Sequence, residues 1–431
     1  MIAVPILVVT LIVGLIDMLL RESWTALYLI VASAILTVLT FKKPEHKGLV
    51  FFNAALLYVG LLVIQAVFVG ATATGGKIEE TVRLREKELP GAYPSIHPQT
   101  FIDISPAFPE YRALPLPVVS GEPVHPLSGL ANVPTVYCIE DDGWMVFDAD
   151  DHGYTNPPGL NGPVDAIIVG DSFVQGACVG TGYSFVDTIR KGGLDIYNLG
   201  MGGSGPLTNL AQIVENIDRL SPRLVVWVHF AANDIKHPKR NLSDLDFEMS
   251  TESLRAYLED PGHRQNLTGR KREIDRALKP IVDARIDARM RYAGLRRWTS
   301  FVVLRPLCEK LGIDIKPLRA ESDFEAPDDV TRLETFEKAI RRAKSVAQGR
   351  GAKLVFVYLP WRWEIEDNQK DGVLDIMDRY GIDSMDLAEV LAAHDELWVT
   401  NGGHLSRSGN AAVGEAIGRF LAGIDTTATP K

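Results

Sequence analysis

Short apolar runs that stop abruptly in small or polar residues, each tied to a helical pattern, recur through the second half of this chain and fix its fold class. Asp165 to Val169 leads to a helix over Phe185 to Lys191, and Leu194 to Leu199 to a helix over Asn209 to Leu220. Arg223 to Phe230 follows, then a helix over Leu333 to Gln348 feeds the run Lys353 to Leu359. A short strand near Ser384 to Leu387 and a closing helix from Ala411 to Leu421 complete the set. Strands alternating with helices predict an α/β domain, a doubly wound parallel sheet covered on both faces. Such sheets bind ligands beyond the carboxyl ends of their strands, so the residues just after each run are the candidate site.

The run Ala166 to Val169 ends in Gly170-Asp171-Ser172, a turn that presents a serine at a strand's carboxyl end. A serine becomes a nucleophile only when a base takes its proton and N–H donors face the oxygen that turns negative. Candidate supporting pieces follow in order: Asn198-Leu199-Gly200-Met201-Gly202-Gly203-Ser204-Gly205, Ala231-Ala232-Asn233-Asp234, and Gly403-His404-Leu405-Ser406-Arg407-Ser408-Gly409. Any one of these is a weak signal; the ordered set is a strong one. Gly170 to Gly176 lacks the Gly-Lys-Ser/Thr ending of a phosphate loop, which argues against nucleotide binding.

Serine, glycine, asparagine and histidine in this order resemble the blocks of the SGNH (GDSL-type) hydrolase superfamily, over roughly residues 165–421 and with a poor match near 240–330. The resemblance implies a three-layer α/β/α domain with Ser172 as nucleophile and His404 as general base, then acid. It implies an oxyanion hole made by the Ser172 N–H, the Gly203 N–H and the Asn233 amide. Gly200 or Gly202 competes with Gly203, because the glycine-rich run aligns in more than one way. The family usually has an acid three residues before the histidine, where this chain has Asn401. Asn401 can orient the imidazole but carries no charge. Three outcomes stay open: a Ser-His dyad backed by a backbone carbonyl, an acid from elsewhere such as Asp395, or weak or lost activity. Ala231 stands where the family usually has glycine.

Trp361 and Arg362, after the run ending at Leu359, are candidates for gripping a sugar or an acid, with packing an equal competitor. His229 and His237 flank Asn233 without metal-ligand spacing and read as structural. No metal or organic cofactor is implied.

Upstream, Ile2 to Leu20, Trp24 to Phe41 and Leu49 to Val69 each approach the roughly 20 residues of a bilayer-spanning helix, so residues 1–71 read as three transmembrane helices. The first run lacks the basic start and cleavage site of a signal peptide. Asp17 lies near its end, which favours interfacial placement. Lys42, Lys43 and Lys47 place the second loop in the cytoplasm and the downstream domain outside it, in the periplasm or cell exterior. Lys77, Arg83, Arg85 and Lys87 oppose that orientation but are interleaved with glutamates. Ala71-Thr72-Ala73 resembles a peptidase site and leaves release of the domain as a minor alternative.

Residues 72–135 are proline-rich and predict extended chain, a linker or a wrap over the surface of a domain at 136–425. Asp148 to Pro158 (DADDHGYTNPP) reads as a solvated turn, with cation or substrate binding the alternative. The insertion at about 241–330 is helical and rich in arginine. It reads as a lid over the site, a contact for anionic polymer or lipid, or simply the solvated face of a packing helix.

A net charge of -10 argues against nucleic acid as a partner. Cys138, Cys178 and Cys308 are too few for a disulfide framework or metal site, although one pair can form. The expected protein is a membrane-anchored, extracytoplasmic serine esterase or O-acyltransferase acting on short acyl esters such as acetyl. Its expected partners are the lipid bilayer, a carbohydrate or other ester substrate, and membrane proteins. A lipid or thioester hydrolase is the runner-up within the enzyme class. A degenerate, noncatalytic binding or assembly subunit is the alternative of a different class.

Overall fold

A computed structural model describes residues 77–102, 113–140, 143–236, 242–291, 327–362, 368–392, 395–399 and 403–424. The three expected membrane spans, Asn401, His237 and Cys308 lie outside them. Among the described residues no helix is long and apolar enough to cross a membrane.

The chain divides into two units. The larger comprises Glu80–Ile102, Ala113–Asp283 and Glu325–Lys431. Of the smaller, the described residues are 77–79 and 284–291, where Arg289 Nε donates to Glu79 Oε1 at 2.9 Å.

The described elements begin with helix α1 (Lys77–Lys87), strand β1 (Tyr93–Pro94), a 3-10 turn at Pro98–Phe101, and the hairpin β2 (Val118–Val119) and β3 (Glu122–Pro123). Then come β4 (Pro134–Glu140), β5 (Gly143–Asp148), β6 (Ala166–Val169), α2 (Ser172–Gln175), α3 (Phe185–Lys191), β7 (Ile196–Asn198), α4 (Pro206–Leu220) and β8 (Leu224–Phe230). Helices α5 (Asp244–Met249), α6 (Glu252–Glu259), α7 (Lys271–Arg291) and α8 (Asp329–Gln348) follow. The chain closes with β9 (Lys353–Leu359), α9 (Asn368–Arg379), β10 (Asp383–Asp386), α10 (Ala388–Leu391), a 3-10 turn at Asp395–Leu397 and α11 (Arg407–Ala422).

The main sheet has the order β10-β9-β8-β6-β7, and every pairing in it is parallel. Period-two alternation sends successive side chains to opposite faces. Ala166, Ile168, Val226, Val228, Val355 and Val357 pack with Phe185 and Ile189 of α3 and Val413 and Ile417 of α11. On the opposite face Trp227 and Phe356 meet Phe336 of α8 edge-on, at ring separations of 6.3 and 6.2 Å. The result is three layers, a parallel sheet between two helical faces, with β6 lying between β8 and the edge strand β7 and its carboxyl end leading into Ser172.

The proline-rich segment is more structured than its composition predicts. Helix α1 forms ahead of the first proline in it, Pro90. Beyond that, β1 adds to β4 in parallel and β4 pairs with β5 antiparallel, making a second, three-stranded sheet. Val119, Val124, Leu127 and Leu130 are buried. Prolines sit at strand and turn positions where no N–H is required, so the segment packs instead of spanning.

In the DADDHGYTNPP stretch the Asp150 carboxylate accepts from the His152 and Tyr154 N–H groups, at 2.8 and 2.9 Å, and from Asn156 and Tyr197. That carboxylate organises an internal turn, and no metal-binding cluster occurs among the described residues. In the arginine-rich insertion, α7 buries Ile274, Leu278 and Val282, while Lys271 Nζ donates to Gly129 O and Asp275. Arg272 and Arg276 are exposed, so the apolar stripe of α7 is a packing face.

Candidate active site

Strand β6 ends at Val169, and Gly170 turns the chain so that Asp171 caps α2. The Asp171 side chain accepts from the Phe173 N–H at 2.9 Å, a cap worth about 1 kcal/mol. Ser172 is therefore the first helical residue and is half-buried. Phe173 points the other way, into the core against Phe230 and Trp398.

His404 reaches this serine from the loop before α11, its Nε2 lying 2.9 Å from Ser172 Oγ. The local sequence explains the placement. Leu405 plugs the core and bridges Trp398, and Ser406 caps α11 by accepting from the Gly409 N–H at 3.2 Å. Gly409 presses on the Leu397 carbonyl with no room for a Cβ. Asn410 Oδ1 accepts from the Phe185 N–H at 3.0 Å, locking α11 to α3. One face of the imidazole rests on Phe173, with ring centroids 5.0 Å apart.

The glycine-rich loop after β7 is tied to the serine turn on both sides. Met201 N–H donates to the Gly170 carbonyl at 3.2 Å, and Gly202 N–H to Gln175 Oε1 of α2 at 2.7 Å. Gly200 N–H is spent on Asn198 Oδ1 at 2.8 Å. Among the described residues, the N–H groups of Gly203 and Ser172 have no acceptor. Of the three glycines competing for the donor role, Gly203 alone keeps a free N–H in this sense. Its φ of +70° lies in the left-handed region that favours glycine. Asn233 completes the group, its Nδ2 donating one hydrogen to Asp171 Oδ2 at 3.2 Å. The amide carries a second hydrogen for another acceptor.

Electrostatics around the serine are unusual for their buried acids. Burial pushes Asp171 up to about 7, with Asp234 adding to the shift, while the Phe173 N–H, His404 and Asn233 oppose it. Asp234 is also raised by burial, against its partner His229, whose Nδ1 lies 2.8 Å from Asp234 Oδ2. His229 itself is enclosed by Phe336, Phe356 and Tyr358, consistent with a structural role. Cys178, just past α2, is hydrogen-bonded to Cys138. That bond and burial raise its thiol, and a hydrogen bond to His404 works against them.

Trp361 and Arg362 are placed differently from the other candidates. Trp361 packs against the core below the site. Arg362 donates to the Val399 carbonyl at 2.9 Å and lies 3.4 Å from Asp395, whose carboxylate is almost fully exposed. Arg362 thus braces the loop leading to His404, and Asp395 faces Arg362 and solvent. Sequence reasoning overlooked Asp171, Gln175, Gln99, Glu248 and Cys178. Asp171, Gln175 and Cys178 carried a signal in their closeness to the serine in sequence, whereas Gln99 and Glu248 reach the site through tertiary contacts.

A doubly wound α/β domain with a serine–histidine pair at the carboxyl end of β6 is what fold and site together define. No family model matches the chain, and no curated protein matches it. Among solved structures it is similar to a G-D-S-L family protein from Desulfitobacterium hafniense DCB-2, with 13% identity and a TM-score of 0.30, over 59% of this chain and 98% of that one.

Proposed function

We propose that the protein is a membrane-anchored, extracytoplasmic serine esterase or O-acyltransferase that acts on short acyl esters, acetyl above all, of a carbohydrate. The observation that carries the catalytic part is the 2.9 Å contact between His404 Nε2 and Ser172 Oγ beside two N–H groups without acceptors among the described residues. Ser172 Oγ attacks the ester carbonyl as His404 Nε2 takes its proton. The carbonyl oxygen becomes negative against the N–H groups of Ser172 and Gly203 and the free Asn233 amide hydrogen. His404 then gives the proton to the leaving alcohol, and water or a sugar hydroxyl repeats the sequence in reverse on the acyl-serine. The placement outside the cytoplasm rests on the apolar runs and lysines of residues 1–71, and the carbohydrate ester on that placement.

The test is fluorophosphonate labelling of the detergent-solubilised full chain beside Ser172→Ala and His404→Ala. Labelling lost in both variants supports the reading, and a folded wild type that never labels overturns it. Retention in carbonate-washed membranes, with protease access from the outside, tests the anchoring. Asn401 in place of an acid favours a second reading, a noncatalytic binding or assembly subunit. Under it, the domain binds glycan without ever acylating Ser172.

A further inference from the structure

An oxyanion hole built from Gly203 and Asn233 draws its donors from loops after two different strands, β7 and β8, and works only if their separation is held to about 0.5 Å. One bridge between the loops comes from an unexpected place. Gln99 belongs to the turn Pro98–Phe101, far upstream of the sheet. Its side chain lies so close over Gly203 that any Cβ there would collide with it. From the same side chain, Nε2 donates to Asp244 Oδ1 at 3.0 Å. Asp244, in turn, donates its own N–H to the Asn233 carbonyl at 2.9 Å. Contacts therefore run without a gap from Gly203 through Gln99 and Asp244 to Asn233.

Gln99 is itself held in place. Its neighbour Pro98 offers its carbonyl to the buried His125 ring at 3.1 Å. His97 and Tyr137 close over the adjacent glycine, where a Cβ on Gly202 would lie 2.7 Å from the Tyr137 hydroxyl and 2.9 Å from the His97 ring. A second bridge exists deeper down. Glu248, on the same helix as Asp244, accepts from the N–H groups of Gly205 and Leu207 at 2.8 and 2.7 Å. Glu248 grips the loop beyond Gly203, whereas Gln99 touches Gly203 itself.

We infer that Gln99 is a positioning residue for this reaction. It sets the distance between the Gly203 and Asn233 donors by filling the space over one and hydrogen-bonding the residue that holds the other. The inference rests on the hydrolase or transferase reading above. It also gives the upstream segment a part in the chemistry: the site is finished by a turn that lies outside the α/β core.

The experiment measures p-nitrophenyl acetate turnover by the full chain and by Gln99→Met, Asp244→Ala, Asp244→Asn and the Gln99→Met/Asp244→Ala double variant. Gln99→Met keeps the bulk but loses the donor. It is expected to lower kcat about tenfold with KM within about twofold, because a misplaced donor weakens only the transition state. Asp244→Ala is expected to match it, and the double variant to be no slower than the slower single one, since both remove one interaction. Asp244→Asn, whose amide oxygen still accepts, is expected to outperform Asp244→Ala. Unchanged kcat in Gln99→Met, or single effects that multiply in the double variant, would overturn the inference. Should Gln99→Met not fold, equal activities of Asp244→Asn and Asp244→Ala overturn it instead. A wild type no faster than Ser172→Ala removes the catalytic reading and this inference with it. A wild type with Ser172-dependent turnover that Gln99→Met equals removes the inference alone.

Discussion

Asp171 Oδ2 accepts from the Asn233 amide at 3.2 Å, so the residue that caps the helix beginning at Ser172 also holds a candidate oxyanion donor. The same carboxyl group is buried beside Asp234 and pushed up to about 7 from an ordinary 3.8. The folded protein therefore binds this proton more tightly than the unfolded chain does. Stability from Asp171 is complete below about pH 4 and is lost as the pH rises through 7.

Asp171→Asn removes the titration and keeps one oxygen for the Phe173 N–H, while its NH2 faces the Asn233 amide, which must turn its own oxygen toward it. Denaturant melts between pH 4 and 8 are expected to show a flatter pH dependence for the variant, with a higher midpoint than wild type at pH 8. Activity should move the opposite way. The lost carboxylate no longer stabilises the His404 imidazolium that forms during attack, and kcat is expected to fall about tenfold, which corresponds to about 1.4 kcal/mol. A variant that is both less stable at pH 8 and equally active would show that Asp171 is neither strained nor felt by His404.

Gly203→Ala separates backbone strain from site damage. A φ of +70° costs a non-glycine residue about 1–2 kcal/mol, and here the new methyl would also strike Gln99. The expected outcome is a loss of about 100-fold or more in kcat with a modest drop in melting temperature. Gly182 is the control. It has φ +87° and open space where a Cβ would go, so Gly182→Ala should lose stability without that loss of turnover.

What the chain made legible was whatever depends on local period and punctuation. Ala166 to Val169 is a strand because it is a buried apolar run, and Leu405-Ser406-Arg407-Ser408-Gly409 is readable because a plug, a cap and a close approach each demand one residue type. The proline-rich stretch was harder. Prolines exclude helix from Pro90 onward but do not say that Tyr93–Pro94 adds a strand to β4. Gln99 and Glu248 were invisible for a related reason. An amide or acid at one position says nothing of a glycine loop far away in sequence, and only the tertiary fold brings them together. Arg362 shows another contact that the sequence does not announce: its guanidinium donates to the Val399 carbonyl, far along the chain.

Cys178 tests the local field from a different side. Its thiol is held up by the hydrogen bond with Cys138 and by burial, with His404 pulling the other way. Alkylation by iodoacetamide at pH 8, followed by peptide mass spectrometry, is expected to modify Cys178 more than tenfold slower than an exposed thiol, because the thiolate is the reactive form. Removing the first cause in Cys138→Ala should speed it up. An unchanged rate in that variant would mean that burial alone protects the sulfur.

Glu248→Gln addresses the deeper of the two bridges between the donor loops. The carboxylate accepts from three N–H groups at the start of α4: Gly205 and Thr208 on Oε1, and Leu207 on Oε2 at 2.7 Å. Glutamine can serve one oxygen's share and must turn an NH2 toward the rest, leaving at least one buried N–H facing a donor. Against the carboxylate that arrangement costs about 1–3 kcal/mol. Burial works the other way and pushes Glu248 up to about 7 from 4.5. Below about pH 4.5 the wild-type group is protonated in both states and contributes its full stability, which is lost as the pH rises through 7. The protonated acid, with one accepting oxygen and one O–H, is close to glutamine. Wild type and Glu248→Gln should thus be similar in acid, and wild type should fall relative to the variant toward pH 8 in chemical denaturation. If wild type instead gains on the variant with rising pH, the charged carboxylate is the favoured form at this helix start, and burial is outweighed by its three N–H donors.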